Sequence, residues 1–392
     1  MGKSTLLDMT YGEEAETVVF DAMQDVEGAR RDPDLFLDSR GFVPGGRPRR
    51  PRLILDEIQF APELVSALKR RVDRLRVPGQ FLLSGSQQWQ VTRHLAESLA
   101  GRAAFLDLEG FTLAEIANEG AAEPWLGRFL KDPEGFVSSD PPRLALPFPL
   151  PEQLLRGFMP GLQTWPAEAL EAGFAGYVRT YLERDARAIA AVADWAEFGR
   201  FLRLAAAHTA QEINASELGR DIGLTAQTVR RWLATLSATF QWAELAAFHV
   251  SADQRVSRRP KGFITDVGLA AHLLGLPPGT ALLGRREWGP LFETAAVGEL
   301  RRQLALVAPG VSLRHYRAHG GAEVDMIVEY RGRLHPIEVK AKSRPDRADA
   351  SGILAFRAAH ARHDVAPGLI LAPTERAYAV APGVWALPWD VK

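Results

Sequence analysis

Arg52-Leu53-Ile54-Leu55-Asp56-Glu57-Ile58-Gln59 is a continuous apolar run that ends in two acids. A short apolar run bounded by polar residues reads as a strand buried on both faces of a parallel sheet. At the exit of such a strand, Asp56 stands where a carboxylate can hold Mg²⁺ on a bound triphosphate. Glu57 beside it can polarise an attacking water as general base. A plain buried strand with polar residues at its end gives the same letters, so the reading needs a partner elsewhere in the chain.

Gly2-Lys3-Ser4-Thr5, followed by Leu6, Leu7 and Met9, supplies one. It is the second half of the phosphate-loop pattern G-x-x-x-x-G-K-[ST]. In that pattern backbone N–H groups at a helix N-terminus surround the phosphates, the lysine reaches the β- and γ-phosphates, and the hydroxyl binds Mg²⁺. The expected nucleotide contacts are Gly2, Lys3, Ser4 and Thr5, with Ser4 and Asp56 on Mg²⁺. The pattern's first glycine and the strand that feeds the loop do not stand before Gly2. We therefore expect a reading frame that starts further upstream, with Met1 an internal Val codon read as initiator, and a central sheet lacking its first strand.

Phe81-Leu82-Leu83-Ser84-Gly85-Ser86-Gln87 reads as a further buried strand ending in small polar groups. Ser84, Ser86 and Gln87 are candidates for a polar group near the γ-phosphate, with Ser86 preferred. Between the two strands, Leu64, Val65, Leu68, Val72 and Leu75 recur at helical spacing and predict a helix over 61–76. Its basic residues Lys69, Arg70, Arg71, Arg74 and Arg76 read as a solvated face.

Composition bounds the rest. The chain has 392 residues, 46% hydrophobic and 24% charged, enough for two to three ordinary globular domains. It has no cysteine, which excludes disulfides, zinc-thiolate sites and cysteine nucleophiles. The formal net charge is -1, so nucleic-acid binding would have to come from local patches. No apolar run approaches the roughly 20 residues that span a bilayer, and no signal peptide is evident. These features fit a cytoplasmic protein.

Residues 121–166 are rich in proline and glycine and read as a connecting segment with short helices at most. Residues 174–193 and 198–208 read helical. From Ile213 a helix–turn–helix pattern follows, with Ser216 capping the first helix, Gly223 ending it and Thr225 capping the second. Val229, Leu233 and Leu236 would face inward, and Ala226, Gln227, Thr228, Arg230 and Arg231 outward. Such a helix can enter a DNA major groove. Arg255, Arg258, Arg259 and Lys261 would form a wing against phosphates, so 225–238 and 249–261 are the candidate DNA-contacting segments. A lid or protein-docking role is the competing expectation.

Glu323 to Glu329 reads as a strand, turned at Arg331-Gly332-Arg333 into a second strand containing Ile337-Glu338-Val339-Lys340. Alternation puts Glu338 and Lys340 on one face, with Asp325 beside Glu338. Two carboxylates and a lysine so grouped can form a Mg²⁺ site at which the lysine stabilises phosphoryl charge. The arrangement resembles that of the PD-(D/E)xK nucleases. The resemblance implies a further glutamate from a preceding helix, Glu293 first and Glu299 second. No aspartate–proline pair precedes the site.

At family scale, LILDEIQFAPELVSALKRRVD, GQFLLSGSQQ and ESLAGRAAFLDLEGFTLAEI resemble a widespread prokaryotic family of AAA-type ATPases with an uncharacterised C-terminal domain. YVRTYLERDARAI, GFITDVGLAAHLLG, GPLFETAAVGELRRQ and GAEVDMIVEYRGRLHPIEVKAK are similar to it as well. The resemblance implies Lys3 and Ser4 or Thr5 on nucleotide and Mg²⁺, and Asp56 and Glu57 as the Walker B pair. It implies Arg102 near the nucleotide, against the alternative of a structural salt bridge. The expected fold class is α/β: a P-loop NTPase-type parallel sheet domain over 1–120, a connecting segment over 121–170, a helical and winged-helix-like module over 171–282, and a small restriction-endonuclease-like domain over 283–392. The expected function is ATP binding and hydrolysis coupled to the C-terminal domain. The alternatives are a metal-dependent DNA nuclease with a vestigial ATPase half, or a non-catalytic adaptor for DNA or a client protein.

Overall fold

Leu53, Ile54 and Leu55 are each at most 1% exposed, as a strand covered on both faces requires. They belong to β2 (Arg52–Asp56), which pairs in parallel with β1 (Ala15–Val19) on one side and β3 (Phe81–Leu83) on the other. The computed structural model describes residues 2–85, 99–181, 195–249, 259–318 and 320–392. They fall into two units, one drawn from Met1–Leu108 and Thr180–Ala191, the other from Glu109–Arg179 and Val192–Lys392.

In the first unit, Leu53 and Leu55 pack with Val18, Phe20, Leu64 and Leu68. Among the described residues the strand order is β1-β2-β3. The predicted helix runs Leu64–Leu75, after a 3-10 turn at Ile58–Phe60. Its basic face is not uniformly solvated. Arg71 is buried and pairs with Asp38 and, at 3.1 Å, with Asp34, because the helix Pro33–Asp38 brings both acids against it.

The second unit holds β4 (Gln211–Glu212), β5 (Trp242–Ala247), β6 (Lys261–Ile264), β7 (Leu313–Arg317), β8 (Glu323–Tyr330), β9 (Arg333–Val339), β10 (Asp364–Val365), β11 (Gly368–Ala372), β12 (Tyr378–Ala381) and β13 (Val384–Pro388). One sheet runs β12-β13-β11-β9-β8-β7-β5-β6-β4, with β10 beside β9. The β8–β9 hairpin turns on Arg331 (φ 51°) and Gly332 (φ 79°), two positive φ values in succession that match strand twist in a two-residue loop. β5 pairs in parallel with β7, joining the middle of the chain to the C-terminal strands in one sheet.

The helix–turn–helix segment forms as helices Ala215–Ile222 and Ala226–Ala238. Asn214, not Ser216, caps the first: its Oδ1 accepts from Ser216 N at 3.1 Å, while the backbone of Ser216 already lies within the helix. Gly223 ends that helix in the left-handed region, and Thr225 Oγ1 accepts from Thr228 N at 3.1 Å. Val229, Leu233 and Leu236 are buried, and Gln227, Arg230 and Arg231 are exposed, whereas Ala226 and Thr228 are only partly so. The helices upstream run Ala167–Thr180 and Trp195–Ala207, and residues 182–194 of the predicted helical stretch lie outside the described residues.

The proline-rich stretch is core rather than connector. Trp125, Leu126, Phe129, Leu130 and Phe136 are buried within short helices, and Leu126 N donates to Gln303 Oε1 at 3.1 Å. Arg143 grips Asp390 through two bonds of 2.9 and 2.8 Å. Proline punctuation shortens these helices without exposing them, because apolar residues between the prolines still bury their faces. Among the described residues, no helix is long and apolar enough to cross a membrane.

Candidate functional site

Gly2 takes a left-handed conformation (φ 83°, ψ 0°) and opens the helix Lys3–Tyr11, so Lys3, Ser4 and Thr5 form its first turn. The free N–H groups of a first helical turn favour anions. Ser4 Oγ donates to Asp56 Oδ2 at 2.5 Å. Asp56 is buried at the end of β2, where its Oδ1 accepts from the Ser84 hydroxyl and, at 3.1 Å, from Glu57 N. Ser84 arrives there because Leu55 and Leu83 are register partners and Ser84 is the next residue along β3's path. Ser84 N bonds back to Leu55 O at 3.0 Å. The preferred candidate Ser86 lies outside the described residues, as does Gln87. Parallel register was the signal for Ser84: it is the first polar residue after the strand beside Asp56.

Glu57 sits at φ 58°, ψ 41°, a left-handed conformation that costs a non-glycine residue about 1–2 kcal/mol. The conformation turns the chain sharply out of β2 into Ile58–Phe60. The Glu57 carboxylate accepts from Gln59 Nε2. Arg102 donates to the Asp73 carboxylate, on the helix Leu64–Leu75, and at 3.1 Å to Ala100 O. That hydrogen bond holds the Asp73 carboxyl below the usual carboxylate range. Arg102 is thus placed in a partly exposed salt bridge.

The second unit gathers a different set. Asp325 on β8 and Glu338 on β9 interlock: Asp325 N donates to Glu338 Oε2 at 3.2 Å, and Val339 N to Asp325 Oδ2 at 2.9 Å. Lys340 Nζ lies 2.6 Å from Glu338 Oε1. Glu293, in the second turn of the helix Trp288–Val307, joins them through a residue expected elsewhere. Lys261 Nζ is 2.6 Å from Glu293 Oε1, 2.9 Å from Asp325 Oδ1 and 3.4 Å from Glu323 Oε1.

Lys261 is 4% exposed, so it is not part of a solvent-facing wing. Residues 250–258 of that segment lie outside the described residues. The signal for Lys261 was local: Pro260 separates it from the arginines, and it heads the apolar strand run Gly262-Phe263-Ile264. Glu299 takes no part. It accepts from Leu113 N at 3.0 Å, Arg302 Nη2 at 3.2 Å and Gln303 Nε2 at 2.7 Å, tying the core together.

Burial pushes the Glu293 and Glu338 carboxyls up to about 8, reinforced by the neighbouring Asp325 charge and opposed by the nearest lysine. Burial disfavours the Lys261 ammonium, but Asp325, Glu293 and Glu323 outweigh it and hold its pKa above the usual lysine value. Among the described residues, no three histidine, aspartate or glutamate side chains are grouped to hold a metal ion.

Residues 1–117 match an AAA domain. Residues 148–280 match one domain of unknown function (DUF8612), and residues 288–391 match another (DUF4143). Two uncharacterised proteins, of Mycobacterium bovis and Mycobacterium tuberculosis, are each 28% identical to this chain over 391 residues, covering 99% of this chain and 78% of theirs. No solved structure matches the chain.

Proposed function

We propose that this chain binds and hydrolyses ATP, and that nucleotide state acts on its second unit. The observation that carries the reading is the hydroxyl–carboxylate–hydroxyl chain Ser4–Asp56–Ser84 beside a helix opened by Gly2. Gly2 and the first-turn amides would receive the phosphates, Lys3 would neutralise their charge, and Thr5 would sit at the same turn. Magnesium takes hard oxygen donors and few carboxylates, and Ser4 with Asp56 are of that kind and would hold it. When bound, the cation neutralises charge on the β- and γ-phosphate oxygens. Ser84 keeps the Asp56 carboxylate in one orientation, and Glu57 orients the attacking water.

The test is phosphate release from ATP by the full chain, compared with Lys3→Ala and Glu57→Gln. We expect Glu57→Gln to bind nucleotide without turnover and Lys3→Ala to lose both. Wild-type release no greater than that of Lys3→Ala would end the reading.

A second reading concerns DNA. The exposed Arg230 and Arg231 on a helix that follows a capped turn, with β4, β5 and β6 flanking it, support a winged-helix-like module touching phosphates. Exchanging both arginines for glutamate should abolish retention on duplex DNA, and unchanged retention leaves a protein-docking role. The interlocked Asp325, Glu338 and Lys340 support a PD-(D/E)xK-like arrangement in the C-terminal strands, without cleavage activity being assigned to it.

A further inference from the structure

We infer that Lys261 is the resident cation of the second unit's carboxylate cluster: its ammonium stands among Glu293, Asp325 and Glu323 in place of a divalent metal, and the cluster accepts such a metal only when that ammonium is withdrawn.

The geometry is that of an internal ion, not of a lysine passing by. An ammonium has three N–H donors, and Lys261 Nζ has three carboxylate oxygens at 2.6, 2.9 and 3.4 Å. The lysine begins β6, pairs through its backbone with Leu245 and Glu212, and is 4% exposed. A side chain so held cannot reach a phosphate backbone at the surface. The remaining oxygens of the inner pair are also engaged, Asp325 Oδ2 by Val339 N, Glu338 Oε1 by Lys340 and Glu338 Oε2 by Asp325 N. Divalent magnesium needs oxygens near 2.0–2.1 Å from its centre and calcium near 2.3–2.6 Å, tighter than the spacing set here by an ammonium. This agrees with the absence, among the described residues, of any group of three side chains suited to a metal.

The inference adds a charge contact to the β5–β7 pairing that joins the middle of the chain to the C-terminal strands. The carboxylates Glu293, Glu323 and Asp325 lie within the segment 288–391, while their cation comes from the segment 148–280. The C-terminal strands thus depend on a neighbouring segment for charge balance. Removing one partner of a buried ion pair leaves an uncompensated charge, so a cluster stripped of Lys261 should recruit a cation from solvent.

Manganese binding by the full chain tests this, read by electron paramagnetic resonance in an Asp56→Asn background that removes the N-terminal carboxylate. With Lys261 present, Asp325→Asn and Glu293→Gln should leave the amount of bound Mn²⁺ unchanged. Lys261→Ala should gain one Mn²⁺ roughly tenfold or more tighter than its parent, and Asp325→Asn should abolish that gain. Folded Lys261→Ala protein that gains no Mn²⁺ overturns the inference. So does Mn²⁺ binding in the Lys261-containing chain that falls with Asp325→Asn. That second comparison decides the matter even where Lys261→Ala fails to fold.

Discussion

Ser4 Oγ and Asp56 Oδ2 lie 2.5 Å apart, joining the first turn of a helix to the end of a strand 52 residues away. Ser84 holds the other carboxylate oxygen from a third element. The two hydroxyls differ in what they can do. Ser4 stands in the first helical turn, where the proposed phosphates would bind, whereas Ser84 bonds Asp56 from β3's end. Ser4→Ala should therefore weaken magnesium–nucleotide binding by about tenfold or more, whereas Ser84→Ala should lower turnover with little change in nucleotide affinity. Fluorescent-nucleotide titration beside phosphate-release kinetics separates the two, and equal affinity losses in both variants would contradict the division of roles.

Glu57 occupies a left-handed conformation at the point where the proposed general base is needed. Glycine relieves that strain but adds unfolded-state entropy, so Glu57→Gly should leave stability unchanged or raise it by about 1 kcal/mol. Hydrolysis should vanish in the same variant. Thermal unfolding together with a phosphate assay checks both. A clear fall in melting temperature would show that the Glu57 side chain stabilises the turn.

Phe129 is fully buried in the stretch that reads as a connector, where its ring meets Phe136 and His335 edge-on. Phe129→Ala should cost about 3–5 kcal/mol of the second unit's stability. A true linker would lose almost nothing. Denaturant unfolding monitored by tryptophan fluorescence makes the distinction.

Burial lowers the His335 pKa to about 4. Its folded value lies below its unfolded value near 6.5, so the unfolded chain binds the extra proton as pH falls between them. His335 should therefore contribute stability that is present above about pH 6.5 and lost towards pH 4, on the order of 3 kcal/mol at most. Burial shifts His272, His315 and His360 in the same direction. Glu293 and Glu338, raised to about 8, act oppositely: their contribution is present below about pH 4.5 and lost as pH rises through 8. Unfolding midpoints of wild type and His335→Leu between pH 4 and 7 should converge at the acid end. Parallel curves would refute the assignment.

Local patterns in the chain carried a good part of this structure. Continuous apolar runs are visible in the letters, so β2, β3 and the β8–β9 hairpin could be placed, and alternation put Asp325 beside Glu338. The helix–turn–helix was legible through its turn residues Gly223 and Thr225, though the first cap fell to Asn214, two positions before the expected Ser216. The proline-rich stretch misled because punctuation reports where helices stop, not whether their faces are covered.

By itself, the sequence determined which residues form these elements and which polar groups stand at their ends, because those depend on near neighbours and on backbone geometry. Only the tertiary structure decided the partners: that Ser84 meets Asp56, that Arg71 is buried against Asp34 and Asp38, and that Lys261 leaves a basic run to sit among three carboxylates. The local sequence marks Lys261 as the head of a strand, but not which charges will balance it. Burial follows from which distant element arrives to balance its charge, and that is settled when the sheet closes.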